Sequence, residues 1–184
     1  MSIGLADAQE ACFVPLAGPN FDNSLLEGQI QVKSEDSEIN QDTFARFKGK
    51  VEIDSFEAKI KADEALLNRQ TQTLNATGNV SFQDNNITVS SQKMQLNRVT
   101  NALLIEKSLY QLNKVQGHGK AEKIGIGENT GINLIESSFT SCPVNDEVWR
   151  IQASNIKISP DQSRGVVENA RFYIKDVPVL YLPY

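Results

Sequence analysis

The chain has 184 residues, enough for one domain or one domain with an appendage, and its 40% apolar content includes only 7% aromatics. The formal net charge of −5 argues against a nucleic-acid binder, which needs a basic surface to displace counterions. No apolar run approaches the roughly 20 residues of a membrane-spanning helix.

Residues 1–25 hold Pro15, Gly18, Pro19 and several small polar residues, which predicts an irregular arm with at most a short helical turn near 6–12. Met1-Ser2-Ile3 has neither the basic region nor the apolar core of a signal peptide. The expectation is a mature exported protein given a new initiator Met.

From Gly28 onward apolar residues recur two apart, and residues 26–184 are read as one β domain. Gly49, Val51, Ile53, Ile60, Leu67, Asn68 and Arg69 are answered in order by Gly78, Val80, Phe82, Val89, Leu96, Asn97 and Arg98. A looser copy upstream has Gly28, Ile30, Val32 and Ile39. Such repetition means one strand-turn-strand unit stacked on itself.

The predicted strands are 29–32, 49–54, 57–62, 78–83, 86–90, 93–97, 102–106, 110–113, 119–123, 131–136, 139–141, 147–153, 155–159, 165–173 and 177–180. Residues 61–69 have helical propensity, but their copy at 90–98 alternates, and the repeat favours strand for both. Gly28, Gly49 and Gly78 are read as punctuation just before a strand. Asp84-Asn85-Asn86 and residues 161–165 have turn chemistry.

Val51, Ile53, Ala58, Ile60 and Ala62 share one face, while Lys48, Lys50, Glu52, Lys59 and Lys61 take the other. The fold class is all-β, an antiparallel stack that folds over to bury its inside. Small inner residues either permit tight packing or leave a groove unfilled. Trp149 alternates with Ile151 and Ala153, which makes it an inner-face anchor, with ligand stacking as the alternative.

No catalytic constellation emerges. His118 lies between glycines without a partner and is read as a turn residue. Residues 125–131 match neither glycine-rich phosphate-loop spacing and are read as a hairpin loop. No Gly-x-Ser-x-Gly elbow exists. Carboxylates are scattered, and nothing selects a glycosidase pair. The sequons at Asn75 and Asn86 fall in turns and are read as chance. Cys12 and Cys142 lack metal-ligand spacing. They form one intramolecular disulfide, remain buried thiols, or pair with cysteines elsewhere. No metal site and no cofactor is expected.

The C-terminal third has a distinctive order. Ser138-Phe139-Thr140-Ser141-Cys142-Pro143 precedes Val148-Trp149-Arg150-Ile151, then Asn169-Ala170-Arg171-Phe172, then Val177-Pro178-Val179-Leu180-Tyr181-Leu182-Pro183-Tyr184. This order resembles the periplasmic N-terminal domain of the outer-membrane lipopolysaccharide-assembly family, also called the LptD or OstA family. The upstream repeats resemble the more degenerate OstA-type repeat.

The resemblance implies a folded-over β-jellyroll with an apolar interior, at the periplasmic face of the outer membrane. It also implies a following barrel that binds an outer-membrane lipoprotein, which suits the uncharged ending. Cysteines matching Cys12 and Cys142 would form disulfides with a pair late in that barrel.

The expected function is lipopolysaccharide transport, not catalysis. Exposing an acyl chain of about 12 carbons to water costs on the order of 10 kcal/mol, at about 0.8 kcal/mol per methylene. A carrier must therefore offer an apolar groove. The expected lining is Ile30, Val32, Val51, Ile53, Ile60, Val80, Phe82, Val89, Met94, Leu96, Ile105 and Trp149. Lys48, Lys50 and Lys93 are rim charges that help the anionic head or merely solubilise. The edge at residues 28–39 is expected to accept a strand from a periplasmic bridge protein of the same fold. The competing readings are an edge-polymerising β-solenoid with a filled interior and a carbohydrate-active enzyme.

Overall fold

A computed structural model describes residues 25–127 and 130–183. Most of the predicted arm, with Cys12, lies outside the described residues. Among the described residues thirteen strands follow one another: β1 Ile30–Lys33, β2 Asp36–Asn40, β3 Phe44–Ser55, β4 Ala58–Asn68, β5 Thr73–Asp84, β6 Ile87–Asn97, β7 Ala102–Leu112, β8 His118–Gly127, β9 Gly131–Phe139, β10 Trp149–Ile158, β11 Gly165–Glu168, β12 Ala170–Ile174 and β13 Val177–Leu182. They form one antiparallel sheet in the order β1-β3-β4-β5-β6-β7-β8-β9-β10-β12-β13, with β2 also on β3 and β11 also on β10.

Short polar turns connect neighbours. The Asn68 side chain accepts hydrogen bonds from the amides of Gln70 and Thr71, at 2.9 and 3.0 Å. Asn97 does the same for Val99 and Thr100, and Asn40 for Asp42 and Thr43. The repeated Leu-Asn-Arg triplet is thus a turn device, in which the Asn oxygen takes amides that the ladder leaves unpaired.

The central strands are longer than the predicted ones, and this corrects the reading of Gly49 and Gly78 as strand starts. Both lie in mid-strand with φ of 75° and 74°, followed by Lys50 and Asn79 at 44° each. Pairing jumps from Lys48 to Val51 and from Thr77 to Val80. A bulge inserts a residue and breaks strict alternation, so in sequence it mimics a strand end. At Lys107, φ 47°, the ladder is interrupted without an inserted residue, and two predicted strands merge into β7. Asn169, at 52°, does the opposite and splits predicted strand 165–173 into β11 and β12. β2 has no counterpart among the predicted strands, and His118 opens β8 instead of a turn, exchanging two 2.9 Å backbone bonds with Thr140.

The interruptions line up. Asp63, Gln92, Glu122 and Ser154 are skipped in the neighbouring registers, beside Lys50, Asn79, Lys107 and Glu136. They draw a crease across every central strand. It continues past the ends, between β1 and β2 and between β11 and β12. The crease divides the sheet into two leaves that face each other. One contains Val51–Ser55 of β3 and Val80–Asp84 of β5, and the other Phe44–Lys48 and Thr73–Thr77.

Among the described residues one core lies between the leaves. Val51, Ile60, Ala65, Ala76, Val80, Val89, Met94, Ile105, Ile124 and Leu134 are buried in it. Burying each larger side chain stabilises the fold by about 1.5–3 kcal/mol. Near the crease the inner residues are small and polar. Ser91 donates to the Glu106 carbonyl at 2.6 Å, and Ser108 to that of Ala121 at 3.3 Å. These hydroxyls satisfy carbonyls that the kinked ladder leaves open.

Candidate functional site

The leaves do not meet everywhere. On the side away from the crease, a cavity of about 490 Å³ opens between the lips. Its walls are apolar: Ile53, Ile60 and Phe82 from one leaf, Leu74, Leu96, Leu103, Ile126 and Ile132 from the other. That volume lies in the range of about 300–1,000 Å³ typical of ligand pockets. Ile30 borders it at the β1 end.

Polar groups sit only at the mouth. Arg98, Asn101, Glu57 and Asp84 border it from the hairpin turns. Burial pushes the Asp84 carboxyl above its ordinary range, opposed by the amides of Ile87 and Asn86, which donate to it at 2.7 and 2.6 Å. The mouth thus carries one guanidinium and two carboxyl groups above an apolar interior. Such a site can shelter an apolar chain and leave a polar head outside.

The structure distributes the twelve predicted lining residues over four places. Ile30, Ile53, Ile60, Phe82 and Leu96 border the cavity. Val51, Val80, Val89, Met94 and Ile105 share the inner face but are fully buried in the core. Val32 is exposed on β1. Trp149 stacks against Phe172, with ring centroids 5.8 Å apart, and lies 6.1 Å from Phe139. That aromatic cluster does not border the cavity.

Lys48, Lys50 and Lys93 are not at the lips. They lie beside the crease, where Lys50 pairs with Glu35 at 2.8 Å and Lys93 with Glu106 at 3.8 Å. Arg98 is the cation at the mouth, and its only signal in sequence was the repeated triplet. Leu74, Leu103, Ile126 and Ile132 were missed as lining, because alternation assigns a face but not a depth.

Cys142 is fully buried, its amide donates to Thr140 Oγ1 at 3.1 Å, and it is not a free thiol. Cys12, its predicted counterpart in disulfide chemistry, is outside the described residues. Among the described residues no cluster of His, Cys, Asp and Glu has metal-ligand geometry. A second concavity, also about 490 Å³, lies over the crease near the C-terminal strands. It is lined mainly by polar residues, including Lys120, Ser138, Gln152 and Arg171, and lacks the apolar walls of the first.

Comparison with known proteins finds likenesses of three kinds. A family model described as "Lipopolysaccharide-assembly, LptC-related" matches residues 21–110. The LPS-assembly protein LptD of Pseudoalteromonas atlantica is 41% identical over 179 residues, 97% of this chain and 24% of that protein. Its counterpart in Shewanella denitrificans is 37% identical over 84% of this chain and 20% of its own length. The chain therefore spans about a quarter or less of the length of these curated relatives. A crystal structure of LptH, the LptA-homologous periplasmic component of the lipopolysaccharide transport device of Pseudomonas aeruginosa, aligns with a TM-score of 0.49. The identity is 13%, over 59% of this chain and 80% of that one.

Proposed function

The chain belongs to the lipopolysaccharide-assembly family of LptD proteins, and from that premise we propose that it carries lipopolysaccharide by sheltering acyl chains between its two leaves. The observation that carries this reading is the apolar cavity of about 490 Å³, open at the lips and walled by both leaves. Burial of about 12 methylenes is worth on the order of 10 kcal/mol, so apolar walls suffice and no reactive group is needed. The sugar and phosphate head would remain at the mouth, where Arg98 offers the nearest cation.

Two unclosed edges support a relay. β1 and β2 lie along the free side of β3 and are exposed throughout. They suit a same-fold bridge protein that adds a strand and extends the apolar interior. At the other end β13 is equally exposed. The reading extends to a following outer-membrane barrel with its lipoprotein, which takes the cargo onward at the periplasmic face of the membrane.

Photo-crosslinking residues at Ile53 and Phe82 are expected to trap lipopolysaccharide in cells, whereas Glu52, which points outward and pairs with Lys61 at 3.0 Å, is not. Crosslinks at Glu52 alone would overturn the lining. The filled, edge-polymerising stack draws support from Val80, Met94 and Ile105, which are closed off beneath the crease. Uptake of an environment-sensitive fatty-acyl fluorophore separates the two, since a filled stack takes up none.

A further inference from the structure

The cavity does not run the length of the molecule. It stops where the two lips touch. There Gln162, in the loop between β10 and β11, donates through Nε2 to the carbonyl of Asn86 at 2.8 Å, in the turn between β5 and β6. These residues belong to opposite leaves. Asn86 and Pro160 are the last residues to border the cavity on this side. Beyond them Ile87, Leu112, Ile156 and Ile158 are buried, and none of them borders the cavity.

The contact is built on both sides. The Asn86 carbonyl is held by the Asn113 amide at 2.8 Å. Gln162 sits at φ 58°, and its neighbour Asp161 ties the loop by accepting from Ser159 and Ser163 hydroxyls at 2.5 and 2.7 Å. Gln162 is buried although its loop is otherwise largely exposed. Yet the amide oxygens of Gln162 and Asn86 have no protein partner. A buried amide half satisfied at a closure is easily traded for another arrangement.

We propose that Gln162 is a latch that ties the lips together and ends the cavity, so that an acyl-bearing ligand passes toward the C-terminal edge only when the leaves part there. This rests on the carrier reading. The latch itself is a statement about the protein alone and is testable without ligand.

The test uses purified chain with Gln162→Ala and with Gln162→Met, which keeps the packing but removes the donor. Hydrogen exchange in residues 84–87 and 159–165 is expected to quicken at least about fivefold in both variants, with β3 and β4 unchanged. Unchanged exchange, or a change confined to 159–165, would overturn the latch. With a fluorescent dodecanoyl probe, uptake and release are expected to quicken together by about fivefold at nearly constant affinity. Deprotected lips with unaltered probe rates would overturn the gate. If the wild-type chain takes up no probe, the carrier reading fails and exchange alone decides the latch.

Discussion

Single side chains decide where each strand turns. Asn40, Asn68 and Asn97 hold equivalent amides at three turns of one lip, and Asp84 holds two at the other. Asp161 does comparable work in the loop that carries Gln162. Hydrogen bonds from the Ser159 and Ser163 hydroxyls hold its carboxyl down at about 2. A depressed carboxylate stabilises the native loop above its unfolded pKa of about 3.9, and this contribution fades as pH falls through the native value. The 159–165 loop is therefore expected to lose amide protection between about pH 4 and pH 2. Asp161→Asn should abolish that pH dependence, as measured by exchange at a series of pH values. Asp84 shifts in the opposite direction through burial, so its protonation does not loosen the turn in the same window.

Among the elements, the crease matters more than any one strand. Each central strand crosses it, and alternate strands pass through a left-handed residue: Lys50, Asn79, Lys107, Glu136. Where the preceding residue is glycine, close approach adds to the reason. A Cβ at Gly78 would press on the Asp63 carboxylate and come within 2.9 Å of its Cβ. Gly78→Ala is expected to destabilise the fold by about 1–3 kcal/mol, from φ of 74° and this overlap together. Gly165→Ala, where nothing lies within 4 Å, should stay within about 0.5 kcal/mol. Urea unfolding of both variants checks the contrast. Strand identity was legible in the alternation of 78–83 or 102–106. The crease was not, because a bulge and a strand end leave the same break in period two.

At the scale of the whole molecule, the sheet formed by the described residues stays open. β1 and β2 present Ile30 and Ile39, 54% and 57% exposed, along one edge. Lysines at such positions discourage a further strand. Ile30→Lys with Ile39→Lys is expected to reduce capture of a same-fold bridge partner about tenfold or more, with little change in melting temperature because both side chains are exposed. Undiminished capture in a pull-down would place the docking edge elsewhere, with exposed β13 as the next candidate.

Alternation and repetition were enough to read residues 26–184 as stacked β units and to assign each strand an inward face, because a period of two leaves a strand no choice of face. Depth was another matter. Val51 and Ile53 share a face, yet one is sealed in the core and the other borders the cavity. Only the tertiary structure decided this, since the distance between leaves depends on where the crease bends the sheet and where Gln162 meets Asn86, contacts between residues far apart in the chain.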